Sequence, residues 1–351
     1  MKKIYKSIII KIFKIIYGEI NLIYKSKKFE KVSLIKNKRK YIIYKIPKCR
    51  IYTDTIHDTA FLYKGQVIPG ASFQIRKNAN SNIKKNSVLI KGTPRILKKI
   101  SGPLLCILTG GGGNNNYWHW MFDVLPRIAL VEEYFNLSQF KAFLIPNRNY
   151  KFQIESLKLL GIKDNFFSSK DYKHIYSENV FATNHPWQHS KSAHKDIENI
   201  PRWILEWLRQ KFLQYKSNKK FYDRIYIDRS DSKFNGRKIV NEQKIKKFLL
   251  KKKFKILKLS SFSFIDQIAI FNSAKIIVGN HGAGLTNLVF CKKNTKIIEF
   301  VDKNTAKVFK KISKDLKLKY FSVLGKRYGV IKKDQNNNLE IDINKLSKII
   351  S

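Results

Sequence analysis

The stretch Ile276–Phe290, IIVGNHGAGLTNLVF, sets two glycines and a histidine between an apolar run of strand length and a second run with helical spacing. The pattern predicts a strand ending at Gly279, a tight loop NHGAG, and a short helix opening near Leu285. Two readings of this corner are open on spacing alone. In one, the glycines serve the turn and His281 is a satisfied loop histidine. In the other, Gly282, Ala283 and Gly284 bring backbone N–H groups and the positive end of a helix close to an anion, and His281 adds a hydrogen bond.

Working outward, the same alternation recurs on both sides. DRIYIDRS predicts a strand over Arg224–Asp228, Asn241 an N-cap for EQKIKKFLLKKK, and FKILKL a strand from Phe254. Ser263, with Asp266 three residues on, reads as a capping box opening FIDQIAIFNSA, and KIIEFV gives a further strand. Such a βαβαβ series builds a parallel sheet whose ligands sit at the carboxyl ends of the strands. Upstream, LLCILTGGGGNNNYWHWMFDVLPRIALVEEYF reads as a strand at Leu104–Leu108, a glycine break, and helical spacing from Tyr117 to Phe135 that Pro126 divides. KAFLIP and QIESLKLLGI continue with a strand and a helix stopped at Gly161. The GGGGNNN break lacks the Lys-Ser/Thr of a P-loop, which argues against an NTPase.

Before Leu104 the signals weaken. Residues 25–50 are lysine-rich and poorly periodic, RIYTDTIHDTAFLYKGQVI suggests short strands, and RKNANSNIKKNS reads as an exposed loop. At 351 residues the chain suits two α/β domains facing each other across a cleft, residues 1–200 and 201–351. Trp203, Leu205 and Leu208 mark a helix leading into the second, and INKLSKII is a last helix expected to return to the first domain.

The formal charge of +46 would draw in any polyanion. Yet the cations are overwhelmingly lysine, spread along the whole chain and accompanied by many Ile, Asn, Tyr and Phe, as codon bias in an A/T-rich genome generates. A basic nucleic-acid-binding protein is therefore the alternative reading and no nucleic-acid partner is expected. Cys49, Cys106 and Cys291 lie too far apart for a disulfide framework or a zinc site, which suits a reducing compartment. His185, His189 and His194 lie close in sequence without an HExxH pattern or an acidic companion, so no metal is expected. In MKKIYKSIIIKIFKIIYGEI, Lys11 and Lys14 interrupt the apolar run, which is too short to span a bilayer and lacks an A-x-A site. Ile4, Ile8, Ile12 and Ile15 share one helix face, which suits either an anionic membrane surface or a core.

RIYIDRSD, GRKIVNE and FSFIDQIAIFNSAKIIVGNHGAGLTNLVFCKKNTKIIEF in this order, preceded by NYWHWMFDVLPRI, resemble family 61 of the glycosyltransferases. That group includes capsular polysaccharide enzymes and eukaryotic protein-glycan transferases. The resemblance runs from Leu104 to Val301 and is best from Arg224 onward. It implies a GT-B-like fold of two Rossmann-like domains and a nucleotide-sugar donor, a UDP-sugar or another, held mainly by the C-terminal domain. It also implies inversion at the anomeric carbon with no further cofactor. The acceptor would be a glycan or lipid-linked glycan of surface polysaccharide biosynthesis, and the enzyme cytoplasmic, peripheral on the inner face of the membrane. Arg229 with Arg237 or Lys238 would neutralise the donor diphosphate beside His281, Gly282, Ala283 and Gly284. Glu299 would bond the donor ribose, or else be a buried structural carboxylate. Inversion needs a base for the acceptor hydroxyl: Asp123 is the candidate, and His119, four residues away on one helix face, positions the acceptor or is the alternate base. Arg127 could instead pair with Asp123. An inactive family member kept as a membrane scaffold is a further alternative.

Overall fold

The computed structural model describes residues 2–22, 29–54, 57–75, 80–108, 115–218, 221–232, 236–331 and 335–351. The glycines 110–113, expected to aim the following helix, lie outside the described residues, as does the start of the loop expected at Arg76–Ser87. The chain divides into two compact units, Met1–Asp196 and Ile197–Ser351.

The first unit opens with helix α1 (Lys2–Tyr17) and is built on a ten-stranded mixed sheet. Its longer strands are β1 (Glu30–Lys36), β2 (Arg39–Thr53), β3 (Asp58–Tyr63), β4 (Lys98–Cys106), β5 (Ala142–Ile145), β6 (Phe166–Ser168) and β7 (His174–Thr183). They run in the order β3-β2-β7-β4-β5-β6, with β1 also paired to β2. β7, β4, β5 and β6 are mutually parallel, whereas β2 is antiparallel to β1, β3 and β7. The lysine-rich, aperiodic stretch before Arg50 is thus two strands. The alternation of β2 resets, burying Tyr41 and Ile43, then Tyr44 and Ile46, then Cys49 and Ile51. Lys48, with φ of 46°, sits at the second reset. A strand whose inward face shifts in this way hides its period of two.

After β4 the chain is α-helical at Tyr117–His119, π-helical over Trp120–Val124, and α-helical again as α2 (Leu125–Val131). Pro126 follows just after the π-helical turn, so the hydrogen-bond ladder of the helical run changes where the proline lacks an N–H. Helix α3 (Lys151–Leu159) is closed by Gly161 at φ of 80°, the left-handed residue that ends many helices.

The second unit begins with α4 (Arg202–Phe212) and carries five parallel strands: β8 (Arg224–Ile227), β9 (Lys255–Leu257), β10 (Ile276–Asn280), β11 (Lys296–Val301) and β12 (Lys319–Leu324). They are connected through α5 (Glu242–Lys251), α6 (Phe264–Ser273), a 3₁₀ helix at Ala283–Phe290, and α7 (Val308–Asp315). Their order, β9-β8-β10-β11-β12, is that of a doubly wound Rossmann-like sheet. The chain leaves β8 to one side for β9 and returns on the other for β10. Their carboxyl ends therefore form the topological switch point, where such sheets leave a crevice. An antiparallel pair, β13 (Lys326–Tyr328) and β14 (Asn338–Glu340), precedes α8 (Ile343–Ile350).

Three local expectations resolve differently. The Ser263 hydroxyl accepts from the Asp266 N–H at 3.1 Å, as its capping position predicts. Asn241 makes no side-chain cap. Its amide instead pairs with the Ile341 backbone in both directions, at 2.8 and 3.1 Å, because a peptide edge offers it two bonds rather than one. Helix α8, expected to return to the first domain, packs within the second unit: Leu346 and Ile350 are buried with Tyr226, Ile245, Leu249 and Ile298 in its core.

Candidate functional site

In the second unit, Arg229 and Ser230 follow β8 and Asn280 ends β10, so the switch point sets these residues side by side. They line a pocket of about 350 Å³ with Arg237, Lys238, Ser232 and the Tyr226 ring. Three cations, two hydroxyls and an amide converge there. One carboxylate, Glu242, also lines the pocket, Asp228 directly precedes Arg229, and both are engaged. Asp228 takes Lys246 at 2.9 Å, and Glu242 accepts from the Tyr226 hydroxyl at 2.8 Å. Burial pushes the Asp228 carboxyl up, but bonds from Ser230 and Lys246 more than offset this and hold it below its ordinary value.

The arginines are organised by the corner itself. Arg229 donates to the His281 carbonyl at 2.9 Å and Arg237 reaches the same oxygen at 3.5 Å. Arg237 also forks Nε and Nη2 onto the Asn336 amide oxygen, both at 3.1 Å. Its backbone is left-handed, with φ of 62°, and its carbonyl accepts from the Asn280 amide. A non-glycine residue held there costs of order 1 kcal/mol or more and persists only when its surroundings fix it. Burial lowers the Arg229 pKa, and the neighbouring Tyr226, Asp231 and Glu242 offset part of this without an ion pair among the described residues.

The glycines of the corner serve this arrangement. A Cβ on Gly282 would lie 3.0 Å from the Arg229 Cζ, so the guanidinium rests on the bare backbone. Gly284 faces Leu259 and Ile227 instead, where a Cβ would come within 3.1 and 3.3 Å, so its bareness serves packing. As the first residues of the 3₁₀ helix, Ala283 and Gly284 have N–H groups with no partner inside it. His281 is buried behind them, its Nδ1 hydrogen-bonded to Glu299 Oε1 at 2.5 Å. The other Glu299 oxygen accepts from the Tyr320 hydroxyl at 2.6 Å. Both carboxylate oxygens thus have partners inside the protein, the arrangement expected of a buried structural carboxylate, and one of them fixes the His281 ring.

In the first unit, His119 and Asp123 come together as their spacing predicts: His119 Nδ1 lies 2.6 Å from Asp123 Oδ2. The Asp123 side chain is 1% exposed and that of His119 is 23% exposed. The other Asp123 oxygen accepts from the Trp187 indole N–H. Burial pushes the Asp123 carboxyl up, but the charge and hydrogen bond of His119, with His185 and Trp187, outweigh it and hold the group below its ordinary value. Arg127 gives its hydrogen bonds to Thr183, at 2.7 and 3.1 Å, rather than to Asp123. Asp123 is therefore an acceptor filled on both sides, and His119 is the member of the pair that reaches solvent.

Of the three neighbouring histidines, His185 is buried and its Nδ1 accepts the N–H groups of Trp187 and Gln188 at 3.3 and 3.0 Å. Among the described residues no three His, Cys, Asp or Glu side chains gather as a metal site would. Burial pushes His185 down to about 3, against an ordinary value of about 6.5. A histidine kept neutral in the fold but protonated in the unfolded chain makes stability fall as pH drops through that interval. The melting temperature is accordingly expected to decline between about pH 6 and pH 4. His185→Asn keeps an acceptor for the two N–H groups without titrating, and melts at constant ionic strength should show a shallower decline. His174, pushed to about 4 by burial, keeps part of the slope in the variant.

The fold and these two constellations define an α/β protein with a pocket lined by three cations at a sheet switch point and a separate histidine–aspartate pair. The family model described as Glycosyltransferase 61 matches residues 117–298, and the chain belongs to that family. Glycosyltransferase activity, with a sugar donor and an acceptor, is what this membership supports. The matched segment contains every candidate residue named above except Glu299 and the partner residues Tyr320 and Asn336. No curated protein matches the chain.

Sequence reasoning did not find Trp187, Asn280, Asn336 or Tyr320. Trp187 lay in a stretch read only for its histidines, and the other three act through folds of the chain that bring distant residues together. Asn280 was within the corner, next to His281, and its place at the strand end was the available signal.

Proposed function

We propose that the chain is an inverting glycosyltransferase on a GT-B-like plan, taking a UDP-sugar or another nucleotide sugar as donor. The observation that supports this reading best is the convergence of Arg229, Arg237 and Lys238 on one pocket at the switch point. A nucleoside diphosphate leaving group develops negative charge as its bond to the anomeric carbon breaks. Preorganised cations and helix-terminal N–H groups stabilise such charge most. Ser230, Ser232 and Asn280 would bond the remaining polar groups of the donor.

His119 is the better placed base. Its Nδ1 is held by Asp123, leaving Nε2 to take the proton of the acceptor hydroxyl as that oxygen bonds to the anomeric carbon. Asp123 orients the ring and stabilises the imidazolium. The acceptor is a glycan or a lipid-linked glycan of surface polysaccharide biosynthesis, which suits an enzyme at the cytoplasmic face of a membrane.

A screen of nucleotide sugars for slow donor hydrolysis tests the reading. One base and sugar should be hydrolysed above the others, and its nucleoside diphosphate should inhibit. If no nucleotide sugar is turned over and no nucleoside diphosphate binds, the donor assignment fails.

A further inference from the structure

A second pocket, of about 630 Å³, lies in the first unit beneath α1. Ile9 and Phe13 of α1 form one wall, and Ile96 and Tyr172 contribute apolar surface from the body of the unit. Arg95, Lys98, Lys170 and Lys173 surround this apolar lining, opposed by one carboxylate, Asp171. Lys98 sits over the Tyr172 ring with its ammonium 5.6 Å from the centroid. Ile96 stands beside the opening at 84% exposure.

Helix α1 adds a second apolar surface next to this pocket. Ile4, Tyr5, Ile8, Ile12, Ile15 and Ile16 are between 47% and 85% exposed. At 100° per residue they cover a continuous arc of roughly 120°, and Ile9 and Phe13 follow directly after that arc around the helix. The helix is held at its C-terminal residue. Tyr17 accepts from the Leu97 N–H through its hydroxyl and from Arg50 through its carbonyl, both at 3.1 Å, and packs on His174. Six large apolar side chains in a single exposed stripe are more than a soluble surface carries without use. No helix among the described residues is long and apolar enough to cross a membrane.

We propose that this face docks in the plane of an anionic phospholipid bilayer. The isoleucine stripe of α1 enters the acyl boundary, and a lipid phosphate lies against Arg95, Lys98 and Lys173 at the pocket. Charge complementarity selects the partner. Apolar residues alone would fit any greasy surface, but a stripe running into a basic, apolar-floored pocket matches a surface that is apolar within and anionic at its headgroups. The inference gives residues to the membrane placement above and does not rest on the donor or the base.

The test is flotation of the full chain with phosphatidylcholine vesicles, with and without phosphatidylglycerol, at about 0.3 M salt, where screening within roughly 6 Å suppresses diffuse attraction. Native protein should float with the anionic vesicles. Ile8→Ser/Ile12→Ser/Ile15→Ser should lose about tenfold or more in partitioning. Arg95→Glu/Lys98→Glu/Lys173→Glu should lose the preference for phosphatidylglycerol. Lys244→Glu/Lys247→Glu/Lys251→Glu, the same charge change on α5 of the second unit, should float as the native chain does. The proposal is overturned by native protein that stays in solution, by a serine variant that floats normally, or by a control that weakens as much as the pocket variant. Nucleoside diphosphate binding should be unchanged in all three variants, which keeps this outcome separate from that of the donor reading.

Discussion

Arg229→Ala is expected to bind the donor's nucleoside diphosphate about 10- to 100-fold more weakly than the native chain, the loss typical of a charge-assisted hydrogen bond to phosphate. It should melt no lower. Arg229 is a largely desolvated cation with no carboxylate at ion-pair distance among the described residues, and its one hydrogen bond is to the His281 carbonyl. Holding such a group in the fold costs desolvation that its one hydrogen bond and the neighbouring Tyr226, Asp231 and Glu242 only partly offset, so its removal should leave stability unchanged or raised. A merely structural arginine would behave in the opposite way, with stability lost and affinity kept. Arg229→Lys keeps the charge but not the flat guanidinium that rests on Gly282, and should recover only part of the binding. Gly282→Ala should weaken it in the same direction, because its new Cβ would lie 3.0 Å from Arg229 Cζ and push the guanidinium off its seat. Calorimetric titration with melting curves on the same samples checks all three. Native affinity in Arg229→Ala would remove the diphosphate from this pocket.

How much of this was readable in advance follows from what local sequence can encode. The second unit was legible because buried parallel strands such as IIVGN and KIIEFV are near-continuous apolar runs separated by helices with caps. Their order is not local, and the switch point between β8 and β10 appears only once β9 is seen on the far side of β8. The antiparallel half of the first unit was hidden because lysines interrupt β1 and β2 while the inward face of β2 shifts along its length. Among candidate residues, the His119–Asp123 pair was readable from i,i+4 spacing within one helical turn. The Trp187 bond to Asp123 spans 64 residues, and nothing in either segment announces it. For Glu299 the sequence leaves a ribose contact and a buried structural carboxylate both open, because its bond to His281 joins neighbouring strands that local sequence does not pair.

Asp123→Asn should lower turnover by roughly 10²- to 10⁴-fold with little change in nucleoside diphosphate binding. The reason lies in which partner fixes the amide. The Trp187 indole can only donate, so the asparagine oxygen must remain facing it, and the NH₂ group must then face His119. His119 Nδ1 becomes an acceptor, its ring proton moves to Nε2, and the nitrogen that should accept the substrate proton is already occupied. The side chain keeps its size and place, so the fold should survive while the chemistry stops. His119→Ala should fall by a comparable factor. The double variant should be no worse than the poorer single one, because a base and the group that orients it act as a unit. The outcomes discriminate between the two roles. If the carboxylate itself took the proton, His119→Ala would retain most activity and Asp123→Asn alone would be severe. If turnover survived Asp123→Asn within a few-fold, neither member of the pair would be the base. Steady-state kinetics with the donor found by screening, with the KM and kcat effects separated, decides among these outcomes.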